Sequence, residues 1–98
     1  MIELSNSRGQ VLLRLAGNRI QSSAGQTIAI VSGAELCNLQ GQCLLEVREG
    51  KIYRGGSNVL LEVHDDEVRN QIGQVIATVK GGNKVEKSML AAAFFAFL

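Results

Sequence analysis

A 16-residue period dominates this sequence: Gly9-Gln10, Gly25-Gln26, Gly41-Gln42, Ser57-Asn58 and Gly73-Gln74 fall in one column with no insertion or deletion between them. The units run 3–18, 19–34, 35–50, 51–66 and 67–82. Three further columns are wholly apolar. They are Leu4, Ile20, Leu36, Ile52 and Val68; Leu12, Ile28, Leu44, Leu60 and Ile76; and Leu15, Val31, Val47, Val63 and Val79. Filling all of these places by chance, at the chain's own apolar frequency, has a probability of about one in a hundred thousand. A chain built this way folds as a repeat, and each unit is too small to bury an apolar face alone.

Two turn signals in each unit predict a hairpin. Asn38-Leu39-Gln40-Gly41 offers an Asn that caps a type I turn and a Gly for the left-handed position of a three-residue loop, and Asn6-Ser7-Arg8-Gly9 and Asn70-Gln71-Ile72-Gly73 match it. Gly17-Asn18, Gly33-Ala34, Glu49-Gly50, Asp65-Asp66 and Gly81-Gly82 suit two-residue turns between units. Ten short strands follow, and the absence of proline leaves every strand N–H available for pairing. If Asn38 pairs with Gln42, Cys37 lies opposite Cys43 and Leu36 opposite Leu44, and the same arithmetic sets Ile20 against Ile28 and Ile52 against Leu60. Leu12 and Leu15 are an odd number apart, so a bulge or bend is expected near residues 13 and 14 and their equivalents.

After Gly82 the period fails. Residues 83–88 read as a polar linker, and 89–98 as an apolar tail that holds all three phenylalanines, Phe94, Phe95 and Phe97. Ten residues fall well short of the roughly 20 that a helix needs to cross a bilayer, so no membrane span is expected. Extended, the tail would reach about 33 Å. No segment has a convincing amphipathic helical pattern. Closing five hairpins into a ring leaves a centre to be filled, and the tail is the available plug. The expected fold is all-β, five hairpin repeats closed around a pseudo-fivefold axis, with 1–98 forming one domain.

With its 16-residue unit, Gly-centred hairpin turn, five tandem copies and Ala/Phe-rich C-terminus, the chain resembles the five-fold beta-flower proteins along essentially its whole length. The resemblance implies a fold and carries over no catalytic, cofactor or metal residue. Arg54-Gly55-Gly56-Ser57 departs from the repeat, its glycine shifted one place upstream, which implies a locally different turn.

Reactive groups are sparse. His64 is the only histidine and occupies a surface column with Ala16, Ser32, Arg48 and Lys80, so neither a zinc site nor a Ser/His/acid arrangement is expected. Asp65, Asp66 and Glu67 lack the ligand spacing of a known calcium loop. The glycines are turn residues, and Tyr53-Arg54 is the one adjacent aromatic and basic pair, too little for a nucleic-acid stacking platform. Ten basic against nine acidic residues, a net charge of +1, give no strongly basic field for nucleic acid or anionic lipid, so overall charge names no partner.

Cys37 and Cys43 flank the third turn. A bridge is geometrically open to them, but free thiols are expected from the cytoplasmic reading that the absence of a signal peptide suggests. A secreted chain with its leader removed, or a Met1 added in cloning, would start the same way. The function expected is that of a non-enzymatic structural or interaction module. The alternative is a carrier for a small apolar ligand or lipid, gated by the tail. Pairing of edges or rims would make homo-oligomers.

Overall fold

A computed structural model describes residues 2–56 and 58–97, so Met1, Ser57 of the altered fourth turn and Leu98 of the tail lie outside the described residues. The ten strands are β1 (Ile2–Ser5), β2 (Val11–Ala16), β3 (Arg19–Ser22), β4 (Thr27–Ser32), β5 (Glu35–Cys37), β6 (Cys43–Arg48), β7 (Lys51–Tyr53), β8 (Val59–His64), β9 (Glu67–Arg69) and β10 (Val75–Lys80), and one helix, α1 (Lys84–Phe97), follows. Each strand pairs antiparallel with its sequence neighbours, and β1 pairs with β10 through Glu3↔Lys80, Leu4↔Val79 and Ser5↔Thr78, closing a ten-stranded barrel. The fold expected from the repeat is the fold observed.

The hairpin turns form as their sequences require. Asn38 N–H donates to the Gln42 carbonyl at 2.8 Å and Gly41 N–H to the Asn38 carbonyl at 3.1 Å. Asn38 Oδ1 accepts from the backbone N–H of Gln40 and of Gln42, and its Nδ2 donates to Gln42 Oε1 at 3.1 Å. Asn6 and Asn70 make the same three bonds, whereas Ser22 in the second unit offers only its Oγ to Gln26 N–H at 3.4 Å.

Strand register differs from the expected pairing. Cys37 does face Cys43, but Leu36 pairs with Leu45, Ile20 with Ala29 and Ile52 with Leu61. The extra residue is the member of the second apolar column, Leu12 and its equivalents, so the bulge falls one residue before the place expected. The displaced strand turns Leu13, Ala29, Leu45, Leu61 and Ala77 into the core, each at most 3% exposed. Ile28, Leu60 and Ile76 are left half-buried, and Leu44 exposed. Past the bulge, parity is restored: Leu13 and Leu15 point to the same side.

A second correction concerns the tail. Residues 83–88 are not a linker and the plug is not extended: Asn83 caps a helix that takes in Lys84 to Ser88 and continues to Phe97. Glu86 N–H donates to Asn83 Oδ1 at 2.9 Å and Asn83 N–H to Glu86 Oε1 at 3.0 Å, a reciprocal capping box. Helix is the physical answer because a strand inside a closed barrel would have no partner for its backbone groups, whereas a helix satisfies its own.

An eight-stranded barrel is narrow enough for its own side chains to fill, and ten strands leave a wider bore. Met89 to Ala93 fill it and are fully buried, and the adjacent Ser88 hydroxyl donates to the Lys84 carbonyl at 2.7 Å. Fourteen helical residues span about 21 Å, matching the 22 Å short axis of a molecule that measures 32 × 31 × 22 Å. The helix enters between the inter-unit turns, where its Lys84 side chain lies over Gly50. It leaves among the hairpin tips, where Phe95 meets Arg54. Gly82, at φ 77°, makes the entry: a Cβ there would stand 2.6 Å from Ile2 Cδ1.

Candidate functional site

The barrel has two unlike rims, and the described histidine, cysteine, acidic and Tyr-Arg candidates lie on one of them or on the wall between. On the inter-unit rim, the acidic run is dispersed among separate tasks. Asp65 occupies a left-handed turn position at φ 54°, the Asp66 carbonyl accepts from Val79 N–H at 2.7 Å while its carboxylate meets Lys87 Nζ, and Glu67 pairs with Arg69 at 2.6 Å. His64 contacts Glu62 Oε2 at 2.8 Å with its ring half exposed. Among the described residues, no group of three His, Cys, Asp or Glu side chains is arranged to hold a metal ion. A shallow cleft of about 210 Å³ on this rim is lined by Val63, Asp65, Lys84 and Lys87. A second, of about 400 Å³ and on the outer wall, is lined by Arg48, Glu49, Lys51 and Tyr53, where the Arg48 guanidinium sits 4.2 Å from the Tyr53 ring centre. Tyr53 and Arg54 therefore act apart: Arg48 covers Tyr53, and Arg54 lies 5.4 Å from the centre of the Phe95 ring.

At the hairpin tips, Cys37 and Cys43 form a disulfide, which overturns the expectation of free thiols. Compartment was the ground for that expectation, but local geometry decides: the two residues are register partners at the mouth of a three-residue loop, directly opposite one another. The fourth tip does adopt a different turn, with Gly55 and Gly56 both left-handed at φ 66° and 65°. The Gly56 carbonyl accepts from Arg48 Nη2 at 3.1 Å, which draws this tip toward the outer wall.

The tip rim has a chemical character that no single residue announced. All nine acidic residues lie outside the tip segments 6–10, 22–26, 38–42, 54–58 and 70–74, while Arg8 and Arg54 lie within them; Arg69, just behind the fifth tip, is paired with Glu67. The largest exposed apolar side chains cluster here too: Ile72 is 79% exposed, Leu39 57% and Phe95 38%, with Val75 and Leu44 just behind them. Phe94 and Phe97 are half-buried at the same end of the helix. Among the described residues, the opposite rim carries one such residue, Val85, amid Lys, Asp and Glu. Sorting charges by repeat column, rather than summing them over the chain, would have revealed this polarity, because the acids fall at columns facing the inter-unit turns. Leu39 and Ile72 each look unremarkable within a turn, and only the shared end of the barrel brings them together.

No helix among the described residues is long and apolar enough to cross a membrane. No match to the chain is found among curated proteins or among solved structures. A family model described as 5-fold beta-flower protein matches residues 2–98, which spans both rims, all five hairpins and the helix, and the chain belongs to that family.

Proposed function

We propose that this protein is a non-enzymatic interaction module whose working surface is the tip rim. One observation carries the reading: exposed Leu39, Ile72 and Phe95 share a rim with two arginines and no acidic residue, and the rest of the surface carries the mixed charge of an ordinary solvated face. The family is named for a shape rather than a reaction. Repetition supports the same reading, because it distributes similar side chains around a ring instead of gathering unlike groups in one pocket. The carrier alternative gains no comparable support, since the helix residues Met89 to Ala93 occupy the bore where a ligand would sit.

Photo-crosslinking side chains placed at Gln40 on a tip and at Ala34 on the opposite rim test the proposal in cells expressing the protein. Adducts should concentrate at Gln40, whatever their chemical nature. Equal yields at the two positions would sink the assignment of the rim.

A further inference from the structure

The tip rim is specific enough to suggest what it touches. We propose that it docks peripherally on an anionic lipid bilayer, with Leu39, Ile72 and Phe95 entering the headgroup region and Arg8 and Arg54 meeting lipid phosphates. This deepens the tip-rim reading and rests on it.

Charge is the first argument. The chain's net charge is +1, and the two tip arginines contribute +2, so the remainder of the molecule sums to −1 (eight basic, nine acidic). The molecule is thus polarised toward a negative surface at the rim that also bears its exposed apolar groups. Shape is the second. The hairpin tips share one end of a closed barrel in a molecule 32 × 31 Å across, so their side chains can meet one extended surface together. The other tip residues, Ser7, Ser23, Ala24, Gln40 and Gln71, are small or neutral and suit the headgroup layer. Depth is the third. The outer wall carries the ion pairs Arg14–Glu3 and Arg48–Glu46, both partly exposed, which hold the barrel at the interface and oppose deeper insertion.

A second copy of the chain fits the rim less well. Tip rim against tip rim would oppose arginines with no acid between them, and tip rim against inter-unit rim would bury Ile72 and Leu39 on turns rich in Lys, Asp and Glu.

Vesicle flotation gives the test. The native protein should bind phosphatidylcholine/phosphatidylglycerol vesicles at least about tenfold better than pure phosphatidylcholine, with binding falling as salt rises. The pair R8E/R54E should lower binding to the anionic vesicles by about tenfold or more, and L39S/I72S should also lower it, while V85S on the opposite rim leaves it unchanged. An environment-sensitive fluorophore at residue 24 should shift to the blue on vesicle addition and one at residue 34 should not, which keeps the test decisive if a double variant fails to fold. Absence of binding to anionic vesicles, equal binding to neutral ones, or a response at residue 34 instead of 24 would each overturn the proposal. Self-association that disappears in L39S/I72S, or crosslinks at Gln40 that yield protein adducts only, would overturn lipid as the occupant while leaving the tip rim as the working surface.

Discussion

Around the wall, one core position is filled five times over, by Leu4, Ile20, Leu36, Ile52 and Val68, whereas the helix inside uses each of its buried residues once. The two regions reach burial by different means. A substitution in the wall leaves four intact counterparts, and a substitution in the helix leaves none. A helix with 3.6 residues per turn also has no fivefold symmetry to offer. It lies closer to β6 and β8 than to β3 and β4, and the wall answers with unequal residues, Ala29 and Ala77 where other units carry Leu13, Leu45 and Leu61. Repetition therefore specifies the container, and the unrepeated segment breaks its equivalence.

The comparison is broken most severely by removing the contents. Deleting residues 89–98 should abolish cooperative thermal unfolding, because it empties a bore that the wall residues cannot fill; a truncated protein that melts cooperatively near the native temperature would show the wall to be self-sufficient. Leu90→Ala should cost about 2–5 kcal/mol in denaturant titration, the usual range for a fully buried leucine. Reduction of the Cys37–Cys43 bridge releases only a short loop and should cost about 2 kcal/mol on the chain-entropy account, read as a shift of the urea midpoint. Asn70→Ala removes a side chain that makes three hydrogen bonds at an exposed turn and should cost about 1 kcal/mol. Asn38→Ala should cost less while the neighbouring disulfide is intact, and equal losses at the two sites would mean that the bridge does not support its hairpin. Smallest and opposite in sign, Glu49→Gly should raise stability by about 0.5 kcal/mol, since Glu49 holds φ 50° where the equivalent turns use Gly17 and Gly33.

Much of this architecture was legible because it is written five times. Period, turns, ten strands and closure all follow from columns that agree with one another. Register was not, because two adjacent columns are both apolar: beside Leu12, Ile28, Leu44, Leu60 and Ile76 stand Leu13, Ala29, Leu45, Leu61 and Ala77, and nothing in either set says which is the bulged one. The helix was obscured for the opposite reason. Ala91 to Phe97 is apolar on every side, so periodicity is silent, yet Asn83 and Glu86 stood at capping-box spacing and a run of alanines favours helix. The disulfide could not be read from composition, and the tip rim's polarity appears only once the turns are known to share an end.

One junction of the ring differs from the rest. Four neighbouring pairs of units are joined by two-residue turns, but the fifth and the first meet only through β10 and β1, residues some seventy-five positions apart in sequence, with Gly82 lying against Ile2 and feeding straight into the helix. That seam carries the largest loop-closure entropy in the molecule. Folding should then proceed by assembling hairpins early and zipping the seam late, with helix insertion as the event that latches it. Substitutions at Leu4 or Val79 would speed unfolding far more than they slow folding, and φ-values near one at those positions in stopped-flow measurements would reverse that order.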